Sequence, residues 1–393
     1  MFFIFFSSFT SGVAISVFIT AISWYVENIF DSSMYLSYVL VSGYIFSFFA
    51  LPYISRLSDK YRSRLVLIGI YTLGTLVCLF LITYPDIKSL PVFYHLTLVV
   101  LATAILTMVK TADQVVRSIY VKRKFRDGVI HKANKGLEVV RQGITVFSGG
   151  FAYIFIRDDS LVYVCSFGLI CFIASIMISF WIENEKPVNN PQHRNKLEHA
   201  FTSGFQCGDN NKIITLTIAP YVLIVSLNVL YPPLFNSFNA LSSDFGVMVI
   251  PYGLGAIVGS LTSPQSIEDF KKHYICFSSL IVLSMLLPYL SAGIYSLYVM
   301  LFILALSHSY IRVMRNTLIM NYTSKGRISN AMAYNERLFI FFSVFSTILL
   351  AFLSDWLGIE LAWFFALTMF LIVTILVLRS PFLKEQGVFV QIP

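Results

Sequence analysis

Arg117 to Ser148 reads RSIYVKRKFRDGVIHKANKGLEVVRQGITVFS, and Arg315 to Ser346 reads RNTLIMNYTSKGRISNAMAYNERLFIFFSVFS. A shift of 198 residues lays one on the other without a gap. It pairs Arg117 with Arg315, Gly128 with Gly326, Ile130 with Ile328, Ala133 with Ala331, Glu138 with Glu336, and Val146-Phe147-Ser148 with Val344-Phe345-Ser346. Apolar coincidences are common in so apolar a chain; a matched Arg and a matched Glu are not. Two such stretches half a chain apart mark an internal duplication, with both copies in the same orientation.

The rest of the chain fits that duplication. Of its 393 residues 57% are hydrophobic and only 12% charged, where a soluble domain carries about 25% charged residues. Apolar runs close to the roughly 20 residues needed to cross a hydrocarbon core of about 30 Å recur over 2–26, 34–54, 65–84, 93–116, 136–157 and 161–182. They recur again over 213–236, 244–264, 274–292, 295–320, 330–354 and 357–379, beyond a polar stretch from Glu183 to Asn211. The expected fold is an all-α membrane protein: twelve transmembrane helices in two pseudo-symmetric six-helix bundles. The expected domains are an N-terminal bundle over 1–182, a linker over 183–212, a C-terminal bundle over 213–379 and a tail over 380–393. Pro220, Pro232, Pro233, Pro251 and Pro288 fall inside spans, where neighbouring helices can re-satisfy the freed backbone groups. Met1 to Phe6 has no basic residue and no small-residue cleavage site follows, so the first run reads as a span and not a signal peptide.

The net charge of +8 suggests nucleic acid until its distribution is considered. Arg56, Lys60, Arg62 and Arg64 follow the second span, and Arg117, Lys122, Arg123, Lys124, Arg126, Lys132 and Lys135 surround the fourth-to-fifth connection. The opposite loops carry Lys88 and Arg157 against acids that include Asp31, Asp86, Asp158, Asp159 and Glu360. This is the positive-inside asymmetry, and it predicts cytoplasmic termini. The five cysteines support no disulfide framework, and no phosphate-binding loop, His-Glu-x-x-His or paired-Cys motif occurs. No cofactor and no metal are expected. A membrane-embedded transferase, the rival class, needs an interfacial carboxylate or His cluster and has no use for a two-fold repeat.

The loop after the second span reads Ser55-Arg56-Leu57-Ser58-Asp59-Lys60-Tyr61-Arg62-Ser63-Arg64. It resembles the major facilitator signature Gly-x-x-x-Asp-(Arg/Lys)-x-Gly-(Arg/Lys)-(Arg/Lys): Asp59, Lys60 and Arg64 fit, while Ser55, Arg62 and Ser63 depart. The chain therefore looks like a member of the major facilitator superfamily. Arg117 and the Ala133-Asn134 pair resemble the efflux branch that includes enterobactin exporters and macrolide pumps. Antiporters of the family carry Gly-Pro-x-x-Gly-Gly in the fifth helix; Thr145 to Gly150 keeps only the paired glycines, which leaves direction open between export and uptake.

Charges at membrane depth cost several kcal/mol unless paired or wet, and each is a functional candidate. Lys110, Asp113, Glu138, Arg141, Glu336 and Arg337 are such residues. Lys110, Asp113, Gln114 and Arg117 share one helix face at i, i+3, i+4, i+7, and the 198-residue shift sets His308 opposite Lys110. A substrate and proton pathway is expected from Lys110, Asp113, Gln114, Arg141, His308, Asn228 and Tyr231, with Asn236 and Tyr252 nearby; either Lys110 or His308 could exchange a proton. The alternatives are a local Lys110–Asp113 pair and a satisfied interior histidine. The resemblance implies a gating network at the cytoplasmic ends, here Asp59, Lys60, Arg64, Arg117, Glu138, Arg315 and Glu336, with Arg117 pairing Glu138, Arg315 pairing Glu336 and Asp59 joining the first pair. Arg337 is expected to snorkel to the interface.

Parallel repeats imply rocking of one half against the other around a midplane site. The leading expectation is proton-driven export of a small organic molecule by a monomer, with an anionic, siderophore-like compound as the candidate class; uptake by symport is the alternative. Richness in Phe, Ile, Lys and Asn suggests an AT-rich bacterium and its inner membrane.

Overall fold

In the computed structural model, residues 2–30, 33–83, 92–125, 127–157, 161–185, 217–238, 244, 247–263, 270–290, 293–322 and 328–379 are described. Asp31, Asp86, Lys88, Asp158, Asp159, Cys207, residues 186–212 of the expected linker and the tail 380–393 lie outside them.

The described residues form helices throughout. The first half holds α1 (Phe2–Phe30), α2 (Ser33–Lys60), α3 (Ser63–Thr83), α4 (Val92–Lys124), α5 (Asp127–Arg157) and α6 (Leu161–Ser179). The second holds α7 (Ala219–Leu227), α8 (Tyr231–Ser237), α9 (Val249–Thr262), α10 (Phe270–Leu290), α11 (Ile294–Tyr322), α12 (Ile328–Leu357) and α13 (Ile359–Arg379). α7 and α8 make one broken span with a bend of 56°. The break follows from Tyr231-Pro232-Pro233: two successive residues without N–H groups, whose rings clash with the preceding turn, stop the helix at Leu227. With that pair counted once, twelve spans stand in two groups of six.

Nine of these helices are long and apolar enough to cross a membrane by length and composition, ten with the bent pair. α9 has only 14 residues, and α5 carries Lys132, Lys135, Glu138 and Arg141 in its first half. Several helices outrun the hydropathy signal on the side of the basic loops. α2 continues to Lys60, α4 to Lys124, and α5 begins at Asp127, because a helix that leaves lipid keeps its backbone bonds while its side chains become polar. Phe49, Leu76, Ile170, Met177, Leu283, Phe345 and Trp356 are exposed; on a soluble protein so much apolar surface would be anomalous, and here it faces lipid.

The halves meet along two interfaces, α2 with α12 and α5 with α9. The 198-residue shift turns α5 into α12, and α9 is the second span of its half as α2 is of the first, so these are one interface repeated about a two-fold axis. α9 approaches closely because of its glycines. A Cβ at Gly255 or Gly259 would collide with the backbone carbonyl oxygens of Phe302 or Leu306 on α11, the close approach that small-x-x-x-small patterns permit. At the end bearing the basic loops, Leu51, Val115, Ile119, Ile218, Ile319, Met320, Ile328 and Met332 form an apolar plug joining the two halves. Asn134 Nδ2 reaches Met320 Sδ at 3.1 Å, and Lys135 Nζ donates to the Leu261 carbonyl. The halves are therefore closed on that side.

Candidate functional site

Between the halves lies a cavity of about 300 Å³ whose lining includes Ser8, Ser11, Thr20 and Ser23 of α1, Tyr44 of α2, Lys110, Asp113, Gln114 and Arg117 of α4, and Arg141, Gln142 and Thr145 of α5. From the second half come Tyr221 of α7, Asn228 at the α7–α8 break, Tyr231, Tyr252 of α9, His308 and Arg312 of α11, and Glu336 and Phe339 of α12. Ser8 to Ser23 covers about 22 Å of helix at 1.5 Å per residue, so the cavity runs along much of the first span.

Helical spacing places the α4 stripe, and its neighbours decide the partners. Arg117 Nε donates to Asp113 Oδ2 at 2.8 Å, and its Nη2 donates to Ser7 Oγ at 3.1 Å. Its remaining donors reach the Ile4 carbonyl and the Tyr71 hydroxyl, and Tyr71 donates to the other Asp113 oxygen. This cluster ties α1, α3 and α4 of one half together. Lys110 is not part of it: among the described residues no hydrogen bond or ion pair holds its Nζ.

Glu138 is the centre of a second group. Arg141 Nη1 donates to its Oε2 at 2.6 Å and Gln142 Nε2 to its Oε1 at 2.6 Å. Arg312 of the other half lies 3.7 Å from Oε1. Arg312 Nη2 also reaches the Tyr221 hydroxyl at 3.3 Å and Gln114 Oε1 at 3.5 Å, with its guanidinium 4.2 Å above the Tyr221 ring. Gln114 and Arg312 are mates under the 198-residue shift, so the two-fold axis passes between them. Tyr221 is stacked between Phe339, 3.9 Å away, and His308, 5.2 Å away. His308 is buried, and among the described residues neither of its ring nitrogens has a hydrogen-bond partner; nor does Arg312 Nε or the Tyr231 hydroxyl.

The pairings expected from sequence need correcting. Arg117 does not pair with Glu138: Asp113, four residues back on the same helix, takes it first, and Glu138 turns toward Arg141 and Arg312. Arg315 does not pair with Glu336; its Nη2 meets Asn316 Oδ1 at 3.3 Å. The repeat explains the asymmetry, because Ile311 stands where Asp113 stands in the first half. Nor does Asp59 join Glu138. It accepts from Arg123 Nη2 at 2.5 Å, Arg123 Nη1 donates to the Ser58 carbonyl at 2.6 Å, and Glu185 accepts from the Ser63 backbone N–H at 3.2 Å. These bonds stitch α2 to α4, and α3 to the segment after α6, within one half. Arg64 Nη1 donates to the Phe180 carbonyl at 3.3 Å and Lys60 lies over the Tyr61 ring. Beyond the membrane end, Lys124 hydrogen-bonds Glu183 at 2.8 Å and holds that carboxyl below the usual carboxylate range. Arg337 is half-buried, 4.4 Å above the Phe48 ring. Asn236 is exposed and is not among the lining residues.

Arg312 is a charged cavity residue that sequence reading overlooks. The signal is present: it follows His308 by one helical turn as Gln114 follows Lys110, and the same shift relates both pairs.

A family model described as transmembrane secretion effector, from the major facilitator transporters, matches residues 2–319. No curated protein matches the sequence. Among solved structures, the crystal structure of the human organic anion transporter MFSD10 (TETRAN) is similar with a TM-score of 0.74 at 12% identity, over 95% of this chain and 98% of that one. At that identity the likeness establishes the fold.

Proposed function

We propose that this chain, which belongs to the transmembrane secretion effector family of major facilitator transporters, exports a small organic anion from a bacterial cytoplasm, driven by the proton gradient. That it is a multi-pass membrane transporter and not an enzyme rests on the family and the fold; direction, coupling and substrate are the proposal. One observation carries the substrate class. Four cations line the cavity against two carboxylates, Asp113 and Glu336. Arg117 and Asp113 satisfy each other, so Lys110, Arg141 and Arg312 face only Glu138 and Glu336. One positive charge is left over among these side chains, and no described residue pairs with Lys110. A carboxylate entering this space between buried side chains balances that charge where screening is weaker than in bulk water.

Export is supported by the family's description as secretion effectors, and proton drive by titratable groups in the cavity of a chain without a nucleotide motif. A cavity of about 300 Å³ sits at the small end of ligand sites, which favours a compact solute. A carboxylate-rich siderophore shares the charge but requires the halves to open wider. The chain works as a monomer in this reading, with the basic loops and both termini in the cytoplasm.

The test is transport of radiolabelled 1-naphthoate in vesicles of both orientations. Accumulation in inside-out vesicles with an acidic lumen, abolished by a protonophore, is expected. Accumulation confined to right-side-out vesicles would replace export by symport, and insensitivity to the gradient would remove proton drive.

A further inference from the structure

We propose that the substrate's carboxylate and Glu138 compete for Arg312, so that binding an aromatic monoanion dissolves the charge link between the two halves. The inference rests on the anion-transport reading above and assigns its specificity residue. Glu138–Arg312 is an ion pair that joins the halves across the cavity, and it is the loosest bond either residue makes. Glu138 keeps 2.6 Å bonds to Arg141 and Gln142 on its own helix, so releasing Arg312 leaves it fully paired. Arg312 is in the opposite position. Its contacts are 3.7 Å to Glu138, 3.3 Å to Tyr221 and 3.5 Å to Gln114, and among the described residues its Nε has no partner although the residue is 5% exposed. A buried guanidinium with this many under-used donors suits a carboxylate presented in a fork, two parallel bonds at once.

The surroundings name the rest of the ligand. Tyr44, Tyr221, Tyr231, Tyr252 and Phe339 line the same cavity, and rings prefer offset or edge contact with other rings. The unpartnered nitrogens of His308 and the unpartnered Tyr231 hydroxyl offer hydrogen bonds to a substituent. Lys110 approaches from the other half, so a carboxylate between Lys110 and Arg312 bridges the axis in place of Glu138. An arylcarboxylate meets all three demands: one negative charge, a flat apolar body and modest volume.

The experiment measures binding of 1-naphthoate and of uncharged 1-naphthamide to the purified full chain in lipid nanodiscs, with spin labels at positions 60 and 271 reporting the separation of the halves. Wild type should bind the acid at least tenfold more tightly than the amide. Glu138→Gln should bind the acid about tenfold more tightly again, and its ligand-free label distance should already resemble that of acid-bound wild type. Glu138→Asp, which withdraws the carboxylate from Arg312 by one methylene, should show a smaller gain and covers the case in which Glu138→Gln fails to fold. In an Arg312→Lys background the gain should vanish, since the fork competed for is gone; a general gain in positive potential would persist there. Equal binding of acid and amide by wild type would overturn the anion reading itself. Discrimination in wild type without tightening in either Glu138 variant, or with tightening that survives Arg312→Lys, would overturn the competition alone.

Discussion

Asp113→Asn isolates one charge in the structure's best-formed buried cluster, and its outcome separates a scaffold from a gate. Asp113 and Arg117 are 2.8 Å apart with side chains 10% and 3% exposed. At an effective dielectric constant of 20 the gross attraction at that distance is about 6 kcal/mol. Asparagine keeps the volume and one acceptor, so part of the hydrogen bonding survives, but Arg117 then stays buried without a counter-charge. Breaking one side of a buried pair costs about 3–5 kcal/mol, and that is the expected loss. The bonds of Arg117 to Ser7, Ile4 and Tyr71 run to α1 and α3 of the same half, so both conformations of a rocking transporter lose the same interaction. Denaturant unfolding of the purified protein should show the full destabilisation, while label distances between positions 60 and 271 stay as in wild type. Asp113→Leu combined with Arg117→Leu should recover most of the loss, because no charge is then stranded. A variant within about 0.5 kcal/mol of wild type, the range of an ordinary surface substitution, would refute the charge argument. A changed label distance would return this pair to the gate.

Lys110→Gln should weaken 1-naphthoate binding at least tenfold and leave 1-naphthamide unchanged, measured by titration in nanodiscs; equal losses would mean that Lys110 shapes the cavity and does not read charge. Gly259→Val should cost about 1–3 kcal/mol of stability through over-packing against the Leu306 carbonyl on α11, read by denaturant unfolding, and wild-type stability would mean that α9 and α11 can move apart freely. Cysteine labels at position 295, where Tyr295 is 80% exposed at the start of α11, should react from outside the cell. Labels at position 60 should react only after permeabilisation, and the reverse pattern would invert the proposed orientation.

The membrane class, the twelve spans and the two-fold repeat were legible because each is written along one dimension. Hydropathy integrates over about 20 residues of a single helix, and the matched Arg, Glu and Gly positions survive as letters at fixed spacing. The same arithmetic set Lys110 against His308; extended by one helical turn it sets Gln114 against Arg312, a match that was not drawn from the sequence, and these two meet at 3.5 Å across the axis. Pairing was decided elsewhere. Glu138 had Arg117 and Arg141 as candidate partners and Arg312 was overlooked, and the outcome depended on the rotation of α4 about its own axis and on Tyr71 of α3, which completes the cage around Arg117. Asp59 looked like a gate member because of its motif, yet α4 extends far enough past the membrane to place Arg123 beside it. The cation left over in the cavity is likewise invisible along the chain, where only the total of +8 can be read. It emerges when helices from both halves bring Lys110, Arg141 and Arg312 together around fewer acids. Which charges neutralise each other depends on distances of a few ångströms between segments far apart in sequence, and only the packed structure sets those distances.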